Sequence, residues 1–435
     1  MSGLLIAAPS SGSGKTTITL GLLRALRNRG VAVAPGKAGP DYIDPAFHSA
    51  ASGTPCLNFD AWAMRPELIS ANAALHRSGD RILVIEAMMG LFDGAADGKG
   101  TAADLAAMLR LSVVLVVDAS RMSHSVAPLV SGFASFRADV RIAGVILNKV
   151  GSERHETMLR QALDAIRMPV IAVIRSDKTL ALPERHLGLV QAGEHQGLED
   201  FIEHAAEAVS DECNFEFLLR TARQGLNVPS AANIHRLAPL GSRIAVARDI
   251  AFAFSYEHML LGWRRRGATI AFFSPLADEA PAADADAIYL PGGYPELHAG
   301  EIAGAQNFRR AMIEAAGRGT RIYGECGGYM VLGDGLIDAG GTRHEMLGLL
   351  PLVTSYEERS RHLGYRRVQP VDGAFFDHAM TAHEYHYSTV VREGDADRLF
   401  TVSDALGIGL GEAGLRRGQI AGSYMHLIDL AGAAA

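Results

Sequence analysis

The apolar run Leu4–Ala8 leads directly into Pro9-Ser10-Ser11-Gly12-Ser13-Gly14-Lys15-Thr16-Thr17. A helical pattern follows, with Ile18, Leu22, Leu23 and Leu26 on one face and Gly30 as its stop. Strand, glycine-rich loop and helix in this order open a parallel sheet and set a phosphate cradle at the strand end. Gly12 and Gly14 let backbone N–H groups face a triphosphate, and the helix N-terminus adds positive potential. Lys15 can reach the outer phosphates, the Thr16 hydroxyl suits magnesium, and Thr17 completes the first turn of an ATP-binding loop. Pro9 stands where the strict motif has glycine, so the loop takes a longer form, Ala8 plus five residues before Gly14.

Further buried runs, Ile82–Ile85, Val113–Val117, Ile142–Leu147 and Val170–Ile174, alternate with helix-like stretches, the pattern of a parallel sheet covered on both faces. The rhythm lapses in a polar, proline-bearing stretch and resumes with Ile244–Ala247, Ile270–Phe273, Ala287–Leu290 and Arg321–Tyr323. The 435 residues therefore divide into a P-loop synthetase domain over 1–209, a linker over 210–241 and a second open α/β sheet over 242–435.

Magnesium between phosphates takes one or two protein carboxylates. Glu86 stands at a strand's C-terminal end, where α/β sheets collect ligands, and Asp93 follows in the same "EAMMGLFDG" segment. Asp41 and Asp44 lie in "KAGPDYIDP", whose Gly-Pro and Asp-Pro steps force turns and hold two carboxylates close together. Asn148, after Ile142–Leu147, is placed either to read a nucleotide base or to form a turn.

In the second half, Arg321–Tyr323 leads into Gly324-Glu325-Cys326-Gly327-Gly328 and an apolar helix start. Glycines around a central nucleophile allow the sharp strand-to-helix elbow that presents its side chain beside backbone N–H groups. The helix N-terminus and a partner base would lower the Cys326 pKa. Gly292 and Gly293 in "LPGGYPEL" suit an oxyanion hole, and His426 in "GSYMHL" is the candidate base. A metal reading of "HEYHYS" at 383–388 lacks a third ligand, because strand alternation sets Glu384 and His386 on one face and His383 on the other.

The net charge of −7 excludes a surface built for nucleic acid or anionic lipid, though a local cluster such as Arg359, Arg361, His362, Arg366 and Arg367 could engage a small polyanion. Three scattered cysteines suggest neither a disulfide framework nor a Cys-x-x-Cys metal site, and fit a reducing cytoplasm. Leu4–Ala8 is too short for a signal-peptide core, and no run is long enough to span a membrane.

The longer P-loop is similar to that of dethiobiotin synthetase. The Cys326 elbow, "YLPGGYPEL" and "GSYMHL" resemble the triad-type glutamine amidotransferases, in which a Glu lies two residues after the His. Here that position is Ile428, the pattern of the corrinoid subgroup that works with a Cys/His dyad. With "KAGPDYIDP", "EAMMGLFDG", "LPERHLGL", "RHLGYR" and "HEYHYS", the whole chain resembles the cobyrinic or hydrogenobyrinic acid a,c-diamide synthases. That resemblance implies an α/β architecture, a dethiobiotin-synthetase-like domain followed by a triad-type amidotransferase domain. It implies ATP- and glutamine-dependent amidation of the a and c acetate carboxylates of a corrinoid through acyl phosphates, in cobalamin biosynthesis. Under it Cys326 is the nucleophile, His426 its base, Lys15 and Thr16 hold ATP with magnesium, Asp41, Asp44 and Glu86 belong to the synthetase site, and Tyr42 and Ile43 touch substrate. A homodimer follows from the fold analogy. The competing readings are amidation of a different tetrapyrrole, a P-loop switch or partitioning ATPase, and a relative with an inactive glutaminase.

Overall fold

The computed structural model describes residues 2–181, 184–185, 188–189, 191–224, 234–373 and 375–432. Leu182, Pro183, His186 and Leu187 of the "LPERHLGL" segment, and residues 225–233 of the expected linker, lie outside them. The chain forms two compact units, Met1–Trp62 with Pro66–Ile234, and Ala63–Arg65 with His235–Ala435.

The first unit holds β1 (Gly3–Ala7), α1 (Lys15–Asn28), β2 (Val33–Ala38), α2 (Asp44–Ser52), β3 (Leu57–Phe59), α3 (Pro66–His76), β4 (Ile82–Glu86), α4 (Ala102–Leu109), β5 (Ser112–Asp118), α5 (Val126–Phe136), β6 (Ile142–Val150), α6 (Glu153–Ala165) and β7 (Val170–Arg175). The seven strands of its main sheet are parallel in the order β3-β2-β4-β1-β5-β6-β7. β1 sits between β4 and β5, and the C-terminal ends of such central strands are where α/β sheets place ligands. Register completes the arrangement: Ile6 pairs with Glu86, and Glu86 with Lys37.

Two strands carry no legible apolar run. β2 reads VAPGKA, and its pairing to β3 begins only at Gly36, so Pro35 is spared a bond on that side. A Cβ at Gly36 would meet Phe59 Cε2 at 2.8 Å and Ile85 Cγ1 at 2.9 Å, so glycine is required for packing there. The expected linker also begins too early. Residues Phe215–Arg223 form a helix, α8, after α7 (Leu198–Ser210), with Asn214 capping the Phe217 amide at 2.9 Å and Leu218, Thr221 and Ala222 buried. Its buried stripe is too short to show a period in the sequence.

The second unit is built on a ten-stranded sheet. Thr269–Phe273, Arg243–Ala247, Ala287–Leu290, Arg321–Glu325 and Ile420–Ser423 run parallel in that spatial order. Beyond Ile420–Ser423 the sheet turns antiparallel through Gly409–Arg417, Asp397–Asp404, His362–Pro370, Met380–His386 and Met425–Leu430. The sequence hides antiparallel strands such as His362–Pro370 and Gly409–Arg417 because they are rich in charged and glycine residues and largely exposed. No helix among the described residues is long and apolar enough to cross a membrane.

Candidate functional sites

In the first unit the loop after β1 is held open by its own backbone. Gly12 and Gly14 adopt φ of 78° and 86°, left-handed values that favour glycine. A Cβ at Gly14 would also strike Asn148 Nδ2 at 2.3 Å. Asn148 donates from Nδ2 to the Ser13 carbonyl at 3.0 Å and accepts the Lys149 amide at 2.9 Å, so it braces the loop rather than reaching outward. Thr17 likewise turns inward, donating to the Leu180 carbonyl at 3.2 Å. Lys15 is buried and its Nζ lies 3.5 Å from the Ser10 carbonyl; burial pulls its pKa down while Glu86 supports the ammonium.

Next to Lys15 stands a compact polar cluster. Lys37 Nζ donates to Asp44 Oδ2 at 2.5 Å and to Glu86 Oε1 at 2.7 Å, with Asp41 Oδ2 at 3.8 Å. Thr16 Oγ1 reaches Glu86 Oε1 at 2.9 Å and Asp44 Oδ2 at 3.4 Å. His48 Nε2 meets the other Glu86 oxygen at 2.7 Å. Burial alone would strip the charge from Lys37, but Asp44, Glu86 and Asp41 outweigh it and hold the ammonium well above its usual range. Burial works against the Glu86 carboxylate too, yet Lys37 and His48 keep it ionised. Asp44, squeezed by burial and by Asp41, is pushed up to about 6.

Thr16, Asp44 and Glu86 are thus gathered, whereas Asp41 and Asp93 stand off. Asp41 Oδ1 accepts the Ile43 and Asp44 amides at 2.8 and 3.1 Å, a turn that presents Asp44 from the first residue of α2. Asp93 is exposed and accepts the Gly90 amide at 2.8 Å. Tyr42 is half-buried and Ile43 buried beside the cluster. Lys37 and His48 were not legible as site residues; the signal that could have found Lys37 is a lysine opening the "KAGPDYIDP" segment.

The second unit places Cys326 at a backbone of φ 47°, ψ −106°, between the strand Arg321–Glu325 and the helix Gly327–Leu332. For a non-glycine residue that conformation is strained, and it is the geometry of a nucleophile elbow. Gly292 is where the pair meets: a Cβ there would touch His426 Cε1 at 2.4 Å and Cys326 Cβ at 3.2 Å. Gly293 cannot carry a side chain either, since its Cβ would fall 2.0 Å from the Ala251 carbonyl oxygen, and a Cβ on Gly327 would lie 3.1 Å from the Gly293 amide nitrogen. The Gly327 amide bonds the thiol, and the Gly293 amide therefore lies next to Gly327.

The expected lowering of the thiol pKa does not occur. Burial pushes Cys326 up, with Glu296, Glu325 and Glu384 adding to it, while burial and then His383 and His386 keep His426 neutral. The resting pair is thiol and imidazole. Ile428 is core, 1% exposed, and supplies no carboxylate. Glu325 stands near instead, its Oε2 3.9 Å from His426 Nδ1, with Oε2 accepting the Tyr289 hydroxyl at 2.6 Å and Oε1 the Leu427 amide at 3.1 Å. Burial raises Glu325 to about 8. Of the basic cluster around 359–367, Arg366 is paired with Glu384 at 2.7 Å, whereas Arg359, Arg361, His362 and Arg367 are exposed.

Residues 4–190 match the CobQ/CobB/MinD/ParA nucleotide binding domain family, and residues 243–433 the CobB/CobQ-like glutamine amidotransferase domain family. A hydrogenobyrinate a,c-diamide synthase of Sinorhizobium sp is 69% identical over 434 residues, covering 100% of both chains. Those of Rhizobium meliloti and Rhodobacter capsulatus are 67% and 50% identical, covering 99% and 98% of both chains.

Proposed function

Since this chain belongs to the hydrogenobyrinate a,c-diamide synthase family, we propose that it amidates the a and c acetate carboxylates of hydrogenobyrinic acid, using ATP to activate each carboxylate and glutamine as nitrogen donor. The observation that carries this reading is the pairing, in one chain, of a phosphate loop beside a buried Lys37–Asp44–Glu86 cluster with a strained Cys326 against His426.

In the synthetase unit, a substrate carboxylate oxygen attacks the terminal phosphorus of ATP, ADP leaves, and the product is an acyl phosphate. Loop amides and Lys15 bind the phosphates, and charge spreading over the transferred group is what they stabilise. The donor set suits a hard divalent cation: the Thr16 hydroxyl and the Asp44 and Glu86 carboxylates converge, and all are oxygen ligands. Magnesium held there would supply neutralisation of phosphate charge. Lys37 balances the carboxylates before nucleotide arrives and fixes their orientation.

In the glutaminase unit, the Cys326 thiol gives its proton to His426 as sulfur attacks the glutamine carboxamide carbon. The Gly293 and Gly327 amides face the oxygen that gains charge. The carbon–nitrogen bond breaks, the nitrogen leaves as ammonia with the His426 proton, and water then cleaves the thioester to glutamate. Ammonia attacks the acyl phosphate carbon, expelling phosphate and leaving the amide. The three free cysteines suit a reducing cytoplasm.

Glu325, its Oε2 3.9 Å from His426 Nδ1, favours the cationic form of His426 once it is ionised. Because its pKa is raised to about 8, Glu325 ionises as pH climbs through that value and glutaminase kcat should rise with it. Glu325→Gln is expected to lower kcat about 10- to 100-fold at pH 8.5 with KM for glutamine little changed, and to erase that limb of the pH profile. Stability moves oppositely. The protonated carboxyl contributes fully below pH 4.5, and its contribution is lost as pH rises through about 8, so denaturation of the variant should be flatter across that window by a few kcal/mol.

The substrate assignment is tested by mass spectrometry of products from hydrogenobyrinic acid and from cobyrinic acid, each with ATP, magnesium and glutamine. The expected result is a monoamide followed by a diamide from the cobalt-free ring. Preferential conversion of cobyrinic acid would move the substrate to the cobalt-containing ring.

A further inference from the structure

The strand His362–Pro370 pairs antiparallel with Met380–His386, setting His362 opposite His386 and Gly364 opposite Glu384. Residues opposite one another share a face of the sheet, so the third ligand that "HEYHYS" lacks in sequence arrives from the neighbouring strand. One ligand atom from each of His362, Glu384 and His386 lies within 4.8 Å of the others.

Hydrogen bonding within the cluster shows which atoms are available. Arg366 engages Glu384 through one oxygen, with Nε and Nη2 at 2.8 and 2.7 Å from Oε2. The other oxygen, Oε1, faces His386 Nε2 at 3.2 Å. His386 Nδ1 lies 3.2 Å from the Ser388 carbonyl oxygen, which can only accept, and this contact favours the tautomer with the ring proton on Nδ1. The Ser388 hydroxyl donates to Tyr424 at 2.9 Å and leaves its own lone pairs toward the same Nδ1. In the neutral ring, Nε2 therefore turns a lone pair toward a carboxylate oxygen, and two acceptors at that distance need a positive centre between them. His386 is 4% exposed and sandwiched between Tyr424 at 3.7 Å and His362 at 4.6 Å.

We propose that His362, Glu384 and His386 form a zinc site, with water in the fourth position. Two imidazoles and a carboxylate are a known donor set for Zn²⁺, and an imidazole whose far nitrogen donates to a carbonyl is the usual support for such a ligand. With metal–ligand bonds of about 2.1 Å, tetrahedral neighbours sit roughly 3.4 Å apart. The Glu384–His386 pair already has that spacing, so only the exposed His362 has to swing inward. The oxygen-only cluster at Thr16, Asp44 and Glu86 selects a harder ion, so the two sites do not compete. Tyr385, between two of the ligands, accepts the Cys326 thiol on its carbonyl at 3.8 Å. Zinc here pins the strand that contacts the nucleophile.

The test uses untagged full-length protein dialysed against chelator, titrated with ZnCl₂ in a calorimeter and with Co²⁺ in a spectrophotometer, for wild type, His362→Ala and His386→Ala. His362 is exposed, so its substitution leaves the fold intact even if His386→Ala does not fold. One zinc per chain, a rise in Tm with zinc and visible bands of four-coordinate cobalt are expected for wild type. His362→Ala should bind zinc at least ~10-fold more weakly and lose the cobalt bands. No zinc binding by wild type, or equal binding by wild type and His362→Ala, overturns the proposal.

Discussion

Cys326→Ala is expected to lower glutamine-driven amidation by roughly 10⁴-fold or more while ammonium-driven amidation persists. No other described residue lies at the elbow backbone of φ 47°; of its neighbours Gly292 has no side chain, and the buried Ser423 hydroxyl accepts the Met425 amide at 3.2 Å. Ammonium bypasses the loss because carboxylate activation is performed by different residues, those of the phosphate loop and the Lys37 cluster. The check is amide formation with each nitrogen source in parallel. Equal loss with both would mean that Cys326 supports the fold rather than the nitrogen supply.

Lys37→Met should have the second large effect, on stability and chemistry together. It leaves Glu86 and Asp44, 1% and 8% exposed, facing each other without the ammonium that satisfies both. Breaking a buried ion pair from one side costs about 3–5 kcal/mol. Adding Asp44→Asn should restore much of that stability, because it removes one of the stranded charges. ATP-dependent turnover should remain depressed, roughly 10³-fold, since an orienting cation and an oxygen ligand are then both missing. Chemical denaturation and ADP release on the single and double variants separate the two effects. Full recovery of turnover in the double variant would reduce Lys37 to a structural residue.

What the sequence could reveal follows from how local each feature is. The phosphate loop and the cysteine elbow are contiguous, each bracketed by a strand and a helix, so their residues declare themselves without tertiary information. Lys37 was hidden because β2 carries Pro35 and Gly36 and shows no apolar run; its role comes from lying beside Glu86 in the register of the sheet. Glu325 was overlooked for a similar reason. Adjacent in sequence to the nucleophile, it takes its meaning from Tyr289, Leu427 and His426, which two other strands supply. The thiol pKa went the other way from expectation because a six-residue helix gives little help against full burial among carboxyl groups. Asn148 and Asp93 show the opposite failure. In sequence Asn148 is placed at a strand end as a base reader or a turn-former and Asp93 in the loop after Glu86, and the bonds they make are to backbone groups of loops nearby.

The most direct test of two coupled chemistries in one chain is the ratio of ADP to glutamate to amide formed by the wild-type protein with hydrogenobyrinic acid, ATP, magnesium and glutamine. One ADP and one glutamate per amide, two of each per diamide, with ADP release dependent on the corrinoid, is the expected result. ADP released at the same rate without corrinoid and indifferent to glutamine would contradict the account and make the phosphate loop that of a stand-alone ATPase.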